Sequence, residues 1–467
     1  MGTTEYDVIV LGGGAVAENV AERAIKGGLT AVIVESELVG GECSYWACMP
    51  SKALLRSAQV LRAARRVRGA AQAVTGDVDV EEVLARRDDF TSHWKDDGQV
   101  KWLESVGISL VRGHGRITAP KEVTVGGEVL TARHAVVVAT GTDALVPDIP
   151  GLRDADPWTS RDATSVKVLP RSLAIIGGGV VAVEMATAYA GFGTTVTVIA
   201  RSGLLEAMEP FAGEQVADGL RELGATVLLN TETKSVKRED DEVVLELGDG
   251  STVSAQEVLV ATGRTPRTGD IGLETIGLKP GSWLDVDDTL QVRGYDWLYA
   301  TGDVNHRALL THQGKYQARA AGDVIAARAN GTPVSDGPWG THVATADNQA
   351  VPQVTFTEPE VASIGLTAAA AEKAGYQTRV VDYEIGNVAG ASVAADNYKG
   401  TARMVVDEQR KVLLGVTFVG PDVADLLQAA TIAVVGEVPL DRLWHAVPAY
   451  PTINEVWLRL LETYGRP

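Results

Sequence analysis

Residues 6–17 read YDVIVLGGGAVA, an apolar strand pattern that runs directly into the glycine pattern G-x-G-x-x-A. A helical pattern follows and ends at Gly27-Gly28, so the segment predicts the strand, tight turn and helix that begin a βαβ unit. Such glycines let the backbone approach a pyrophosphate, whose charge lies against the helix N-terminus. The next strand pattern, 31–34, closes with Glu35, where an acidic residue binds an adenosine ribose. We therefore expect a dinucleotide at this turn.

The same pattern returns in the middle of the chain. Residues 173–182 read LAIIGGGVVA, and a helical pattern that contains Glu184 follows. Two such turns in one chain predict two dinucleotides. The strand after the second turn ends in Arg201 instead of a carboxylate, and an arginine at this place fits the 2′-phosphate of NADPH. We expect NADP(H), with NAD(H) as the alternative if Arg201 is only a solvated strand end.

Cys43 and Cys48 are the only two cysteines in the sequence, and they lie in the stretch GGECSYWACMPSK, residues 40–52. Disulfide frameworks and metal sites use more ligands than this, so we predict no metal site. Residues 49–52 have the pattern of a first helical turn, where the helix dipole and Lys52 favour a thiolate. The pattern predicts a redox pair; the alternative is two buried cysteines that pack as small apolar residues.

Composition limits the function classes. A chain of 467 residues with 45% hydrophobic and 22% charged residues predicts about three globular domains. A formal net charge of −19 counts against nucleic-acid and membrane-surface partners. The strand pattern begins directly after the N-terminus and no apolar run is long enough to cross a bilayer, so we expect a cytoplasmic protein with no signal peptide. A reducing compartment also suits a disulfide that must cycle.

Three further strand patterns end in small residues. Residues 136–141 and 258–263 each close on Ala-Thr-Gly, and residues 298–303 close on Gly-Asp. Thr311 then opens a long helical pattern. A strand that ends in Gly-Asp is by itself only a turn, but after two nucleotide turns Asp303 is a candidate for a second contact to the first dinucleotide.

The order of these motifs resembles the pyridine nucleotide-disulfide oxidoreductases, the family of glutathione reductase, dihydrolipoamide dehydrogenase and mercuric reductase. The resemblance covers nearly the whole chain, including residues 351–360, which look like the opening of that family's dimerisation domain. It implies an α/β fold with two Rossmann-like dinucleotide-binding domains and a C-terminal α+β dimerisation domain. The implied segments are an FAD-binding domain at 1–148 that resumes at 271–335, an NAD(P)H-binding domain at 149–270, and an interface domain at 340–467.

The resemblance also implies roles for individual residues. In that family a nicotinamide hydride reaches the flavin, and electrons then pass to the Cys43–Cys48 disulfide. Cys48 would be the thiolate that faces the flavin, and Cys43 the thiol that attacks a substrate. Lys52 would pair with Glu184 beside the flavin, where a cation stabilises the electron-rich reduced ring. The implied FAD-binding residues are Gly12, Gly14, Ala17, Glu35, Gly41, Lys52, Thr140, Gly141, Glu184, Asp303 and Thr311, and the implied NAD(P)H-binding residues are Gly177, Gly179, Arg201 and Gly263.

The chain departs from the family pattern near its C-terminus. Disulfide-reducing members carry a histidine before Pro-Thr and a glutamate five residues later that orients it. Here Glu455 aligns, but the histidine position is Tyr450, and His445 lies five residues upstream. Tyrosine titrates near 10 and is a poor base at neutral pH. The last residues also hold no second cysteine pair of the kind that mercuric reductase uses, so mercuric reductase activity is not expected.

The sequence leaves three functions open. The first is an NADPH-dependent FAD oxidoreductase with a quinone-like or other non-standard small-molecule acceptor; Tyr45 and Trp46 would stack on such an acceptor, or would only pack inside the domain. The second is a disulfide reductase or dihydrolipoamide dehydrogenase-like enzyme that uses His445 or water. The third is a flavin-bearing redox sensor or binding protein. The C-terminal resemblance implies a homodimer in each case.

Overall fold

The computed structural model describes residues 3–466. Contacts divide the chain into two compact units, which are described separately. Unit 1 holds residues up to 50 together with 87–144 and 264–348. Unit 2 holds residues 51–86, 145–263 and 349 onwards.

The β-strands, in chain order, are β1 (Thr3–Leu11), β2 (Ala31–Glu35), β3 (Ser109–Arg112), β4 (Gly115–Ala119), β5 (Glu122–Val125), β6 (Glu128–Val138), β7 (Thr142–Ala144), β8 (Ser172–Ile176), β9 (Thr195–Ile199), β10 (Thr226–Leu228), β11 (Thr233–Glu239), β12 (Glu242–Leu247), β13 (Thr252–Ala255), β14 (Glu257–Val260), β15 (Arg264–Pro266), β16 (Leu298–Ala300), β17 (Gln353–Thr355), β18 (Glu360–Gly365), β19 (Thr378–Glu384), β20 (Thr401–Asp407) and β21 (Val412–Gly420).

The α-helices are α1 (Ala15–Lys26), α2 (Gly41–Tyr45), α3 (Cys48–Arg65), α4 (Ala70–Ala73), α5 (Val80–Phe90), α6 (Asp97–Val106), α7 (Ser160–Ser165), α8 (Val180–Gly191), α9 (Pro210–Glu222), α10 (Thr311–Ala329), α11 (Ala346–Gln349), α12 (Ala368–Lys373), α13 (Ala389–Ala394), α14 (Leu427–Val435), α15 (Leu440–Leu443) and α16 (Glu455–Tyr464). Short 3-10 helices lie at Ser92–Trp94, Leu273–Ile276, Gly302–Asn305, Ile385–Asn387 and Val423–Leu426.

Unit 1 is built on one large sheet with the strand order β3-β2-β1-β6-β5-β4, and β16 pairs with β6. Strands β3, β2, β1, β6 and β16 are parallel, whereas β5 and β4 return antiparallel. Valine and isoleucine fill both faces of the parallel strands because both faces are buried. Helices α1 and α10 cover one of these faces. The carboxyl ends of β1, β6 and β16 therefore meet at one edge, where the first glycine turn lies.

Unit 2 contains a second, smaller parallel sheet with the order β10-β9-β8-β14. A three-stranded antiparallel sheet of β11, β12 and β13 lies in the same unit. The C-terminal part forms a five-stranded antiparallel sheet with the order β17-β18-β21-β20-β19. Helix α8 is apolar on all sides and buried against the parallel sheet, as expected for a crossover helix inside an α/β layer.

The two compact units do not follow the four predicted segments. Residues 51–86, which the prediction assigns to the FAD-binding domain, pack in unit 2 because Leu54, Leu55 and Val83 belong to the same buried cluster as Ala186 and Tyr189 of α8. The parallel sheet of β8 and the C-terminal sheet also fall in one unit. In the part of the chain that the structure describes, no helix combines the length and the apolar character needed to cross a membrane.

Leu54 tests the packing of residues 51–86 in unit 2. Its side chain is fully buried in the unit 2 cluster, whereas Val60 on the same helix is 48% exposed. We expect Leu54→Ala to lower the free energy of unfolding by about 2–5 kcal/mol, because it removes buried methyl groups and leaves a cavity. Val60→Ala should change it by less than about 1 kcal/mol. Urea unfolding followed by circular dichroism measures both, and equal effects would contradict the assignment.

Candidate active site

The first glycine turn lies in unit 1 between β1 and α1. Gly12 has a φ of +98°, and a Cβ at this position would lie 2.5 Å from the carbonyl oxygen of Ala139, so only glycine fits. Gly14 precedes α1 and offers no side-chain cap to the first amides of the helix. The buried Glu35 carboxylate ends β2 and accepts a hydrogen bond from the amide of Gly13. This donor set fits a dinucleotide, with amides for a pyrophosphate and a carboxylate for a ribose.

The two cysteines also lie in unit 1, on consecutive helices. Cys43 is in the short helix α2, and Cys48 is the first residue of α3. Both are half-buried, and they do not form a disulfide in this structure. The Sγ of Cys48 lies 3.2 Å from Oγ1 of Thr311, the first residue of the 19-residue helix α10. The positive end of that helix and the Thr311 hydroxyl together stabilise negative charge on Cys48.

The two thiols are not equivalent. A hydrogen bond to Cys48 raises the pKa of Cys43, and burial raises it further. Cys43 therefore holds its proton more tightly than an ordinary thiol does. The family resemblance implies that Cys43 is the thiol of the pair and Cys48 the charged sulfur, and that remains a prediction.

The aromatic residues between the cysteines have different environments. Tyr45 is 1% exposed, its ring packs edge-on against Trp46, and its hydroxyl lies 3.4 Å from the carbonyl oxygen of Lys95. Burial raises the pKa of Tyr45 to about 12. Of the two alternatives for Tyr45, the structure supports packing inside the domain and leaves its ring no face for an acceptor.

Asp303 follows β16 at the same sheet edge as Gly12. One of its carboxylate oxygens accepts a 2.6 Å hydrogen bond from Thr142, and burial raises the pKa of this carboxyl. Thr140 donates to the carbonyl oxygen of Arg267. The loop after β6 is therefore held by hydrogen bonds from both Thr140 and Thr142. Unit 1 thus brings together the first turn, the cysteine pair, Asp303 and the start of α10.

Three other predicted site residues of unit 1 are small residues in the turn, helix and loop around the first dinucleotide turn. Ala17 is fully buried in α1, where a larger side chain would separate the helix from the sheet. Gly41 opens α2 with a φ of +58°, and a Cβ there would lie 2.8 Å from the Cα of Gly14. Gly141 has a φ of +77° in the loop after β6. The close approach of Gly41 to Gly14 brings the cysteine helix directly against the first turn.

Lys52 and Glu184 form an ion pair in unit 2 whose carboxylate is buried. Lys52 Nζ lies 2.6 Å from Oε2 of Glu184, whose side chain is only 4% exposed. The other oxygen of Glu184 accepts the amide of Phe356 at 3.0 Å, and the Lys52 ammonium lies 4.9 Å from the centre of the Phe356 ring. The carboxylate and the aromatic face fix the position of this cation.

The second glycine turn repeats the geometry of the first within unit 2. Gly177 has a φ of +135°, and a Cβ there would clash with the carbonyl of Ala261 after β14. Gly179 precedes α8 without a side-chain cap, and Gly263 has a φ of +148°. Arg201 follows β9 and is exposed, so its guanidinium is available to an anion.

A carboxylate lies near that guanidinium. The pKa of Glu232 is lowered by its hydrogen bond with Lys234, and the charge of Arg201 contributes to the shift. Lys234 Nζ and Glu232 Oε2 are 2.6 Å apart. The neighbourhood of Arg201 therefore holds two cations and one anion, all at the surface.

Comparison with known proteins identifies the family of this chain. The model of the pyridine nucleotide-disulphide oxidoreductases matches residues 6–348, and the model of their dimerisation domain matches residues 351–460. This chain belongs to that family. It is 30% identical to a mercuric reductase of Staphylococcus aureus over 97% of this chain and 81% of the relative. It is 29% identical to a dihydrolipoyl dehydrogenase of Haloferax volcanii over 98% of this chain and 96% of the relative.

A solved structure supports the fold. The HOCl-induced flavoprotein disulfide reductase RclA of Escherichia coli superimposes with a TM-score of 0.83 at 22% identity, over 98% of this chain and 99% of RclA. The predicted α/β class with a dimerisation domain is therefore confirmed. Members of this family are FAD-dependent flavoproteins that use a pyridine nucleotide.

In the C-terminal segment, Tyr450 and Glu455 differ in their exposure to solvent. Tyr450 is 77% exposed, whereas Glu455 is buried at the start of α16. Glu455 Oε1 accepts the amides of Gly390 at 2.9 Å and Thr452 at 3.2 Å. In this unit Glu455 fixes the backbone before α16 and does not contact Tyr450. His445 is exposed in the turn after α15.

Sequence reasoning missed several contacts of these residues. Thr142 hydrogen-bonds Asp303, and Phe356 covers the Lys52 ammonium. Thr142 directly follows the first Ala-Thr-Gly, residues 139–141, but a threonine there carries no sign that it will reach an aspartate far along the chain. Phe356 lies in the segment 351–360, and nothing in the sequence except its aromatic side chain indicated that it would contact a lysine.

Thr311 tests the stabilisation of the Cys48 thiolate. In the reduced protein, Thr311→Val removes the hydroxyl that contacts Cys48, so the thiolate fraction near neutral pH should fall several-fold, as for loss of one hydrogen bond to a charged group. Ultraviolet thiolate absorbance against pH measures it. Thr311→Ser keeps the hydroxyl and is the matched control. A titration of Thr311→Val that overlays the wild type would show that the hydroxyl does not stabilise the thiolate.

Proposed function

We propose that this chain is an NADPH-dependent FAD oxidoreductase whose Cys43–Cys48 disulfide passes electrons to a small-molecule acceptor that is quinone-like or otherwise non-standard. The observation that carries the proposal is the 3.2 Å contact between Cys48 Sγ and Thr311 at the N-terminus of α10. It supports a charged sulfur inside the unit that also holds the first dinucleotide turn. A pair of buried structural cysteines would need no such stabilisation.

The donor set of unit 1 supports FAD at the first turn. The amides that follow Gly14 at the start of α1 would hold the pyrophosphate and Glu35 the ribose, with Ala17 allowing close helix packing. Bound FAD would supply the two-electron step between the nicotinamide and the disulfide. The other residues of unit 1 proposed to line it are Gly41, Thr140, Gly141, Asp303 and Thr311.

The two sulfurs would have different tasks. The disulfide takes up two electrons and one proton, its S–S bond breaks, and the products are the Cys43 thiol and the Cys48 thiolate. The hydrogen bond that raises the pKa of Cys43 supports this distribution of the proton. When Cys43 and Cys48 return two electrons to an acceptor, the S–S bond forms again and the Cys43 proton is released.

The C-terminal segment supports a non-standard acceptor. Reduction of a small disulfide requires an acid–base group for the leaving thiol, and imidazole is suited to neutral pH. Tyr450 stands at the position of the family's histidine, and the nearby Glu455 carboxylate already accepts two backbone amides. A quinone can take its protons from water and does not need that imidazole. The sequence also has one cysteine pair only, so we do not propose mercuric ion reduction.

A second candidate function is a disulfide reductase or dihydrolipoamide dehydrogenase-like activity. The alignment with the Haloferax volcanii dihydrolipoyl dehydrogenase over 96% of its length favours it. This function would use His445 or water for proton transfer. In both functions we propose a homodimer, because the chain carries the family's dimerisation domain.

Arg201 tests the nucleotide preference. With ferricyanide as acceptor, we expect Arg201→Ala to raise the KM for NADPH roughly 10- to 100-fold with little change in kcat, because a charge-assisted hydrogen bond to the 2′-phosphate contributes about 1.5–3 kcal/mol. The KM for NADH should not change. Arg221→Ala, on the surface of α9 in the same unit, is the control. A wild-type enzyme with equal KM values for the two nucleotides would contradict the preference.

An anaerobic NADPH titration tests the electron path. After two electrons we expect a long-wavelength charge-transfer band, because the Cys48 thiolate is the donor; Cys48→Ser should abolish the band. Bleaching of the flavin in the wild type without that band would show that the cysteines do not take part.

Acceptor assays then separate the two candidate functions. We expect rapid NADPH oxidation with menadione and slow oxidation with oxidised glutathione or lipoamide. In Cys43→Ser, the part of the rate that depends on the thiols should be lost. Fast lipoamide reduction that falls in His445→Ala would favour the second candidate. If His445→Ala leaves the rate with every disulfide substrate unchanged, His445 has no part in proton transfer.

A further inference from the structure

Arg267 is an arginine of unit 1 whose guanidinium lies among three carboxylates. Its Nε atom donates to Oδ1 of Asp143 at 2.6 Å, and its Nη2 atom donates to Oε1 of Glu42 at 3.0 Å. Its Nη1 atom lies 3.8 Å from Oε2 of Glu37. This group of charges has no role in the site described above. One guanidinium bridges two acids and faces a third, as its planar fork of donors allows.

The three carboxylates differ in how much they depend on this cation. The side chains of Asp143 and Glu37 are 54% and 45% exposed, so water solvates their charges and salt screens them. The Glu42 side chain is only 20% exposed. A carboxylate with little access to water needs a nearby positive charge. Glu42 is therefore the acid whose charge Arg267 chiefly compensates.

Glu42 lies directly beside the first glycine turn. It follows Gly41, where a Cβ would lie 2.8 Å from the Cα of Gly14. Its charge also reaches the far side of the turn: burial raises the pKa of Asp303, and Glu42 raises it further. A carboxylate thus lies next to the backbone that is proposed to hold the pyrophosphate of FAD.

Backbone hydrogen bonds already hold the two segments that this ion pair joins. The Arg267 amide donates to the carbonyl oxygen of Gly141 at 3.0 Å, and its own carbonyl oxygen accepts the Thr140 hydroxyl at 2.7 Å. The amide of Gly40, directly before α2, donates to the carbonyl oxygen of Gly13 at 2.8 Å. What the guanidinium adds to this arrangement is positive charge rather than attachment.

We propose that Arg267 permits FAD to bind at the first turn by neutralising Glu42, and that it does so without contacting the phosphates itself. A pyrophosphate is an anion, and an uncompensated carboxylate beside it would repel it. The Glu42–Arg267 pair has no net charge and removes this repulsion. Arg267 is thus a positioning residue that acts through Glu42. This inference rests on the proposed binding of FAD by unit 1.

The rate of FAD release from the holoenzyme tests the inference. Each full-length protein is loaded with FAD, desalted and diluted, and the fluorescence of the released flavin is followed with time. We expect Arg267→Gln to release FAD roughly tenfold to a hundredfold faster than the wild type, as for loss of one charged contact. Glu42→Gln should release FAD as slowly as the wild type or more slowly, because it removes the repelling charge.

The double variant separates charge compensation from two other roles. When Arg267→Gln and Glu42→Gln are combined, release should return to within about threefold of the wild-type rate, because the two changes are coupled. If Arg267 bound the phosphates directly, the double variant would release FAD as fast as Arg267→Gln. If the pair served as a tether, Glu42→Gln alone would already release FAD fast. Either result overturns the inference, as does unchanged release in Arg267→Gln.

Controls distinguish this inference from the proposed function. Arg293→Gln removes an exposed ion pair with Asp285 in the same unit and should release FAD as the wild type does. Circular dichroism reports the folding of each variant, and if Arg267→Gln does not fold, the release rate of Glu42→Gln decides. A wild type that binds no FAD contradicts the proposed function itself. A wild type that binds FAD and releases it as fast as Arg267→Gln contradicts only the role of Arg267.

Discussion

The N-terminus of α10 carries Thr311, and contacts farther along the same helix fix its place beside Cys48. Arg23 of α1 makes a two-pronged ion pair with Asp323, with distances of 2.6 and 2.8 Å. One turn and a half after Thr311, the Gln317 amide oxygen accepts the amide of Gly302, and its nitrogen donates to the buried Asp347. Burial raises the pKa of Asp347 to about 6, so this network is fully charged only above that pH.

This arrangement couples two parts of unit 1 that are far apart in sequence. Gly302 precedes Asp303, and Gln317 therefore connects the Asp303 loop with the helix that stabilises the Cys48 thiolate. Helix dipoles and hydroxyl groups act over the first turn only, so a small displacement of α10 would remove most of their effect on the sulfur.

The glycine patterns and the alternation of apolar residues in the sequence predicted the strands, turns and helices of the two dinucleotide-binding motifs. The strand, turn and helix around Gly12 and Gly177 are present as expected, because a Cβ at either position would meet the backbone of the neighbouring strand. The burial of Tyr45 and the packing of residues 51–86 in unit 2 were not predictable, since they depend on partners more than thirty residues away. Glu455 was predicted from an alignment position, but its contacts to the amides of Gly390 and Thr452 follow from tertiary structure alone.

Those contacts of Glu455 also explain how a tyrosine can stand at position 450. The carboxylate joins the backbone of the Pro-Thr segment, at Thr452, to that of α13, at Gly390, and the side chain at position 450 takes no part in either hydrogen bond. The fold of the C-terminal segment is therefore independent of an imidazole there, and the chemistry at this position can change without loss of stability.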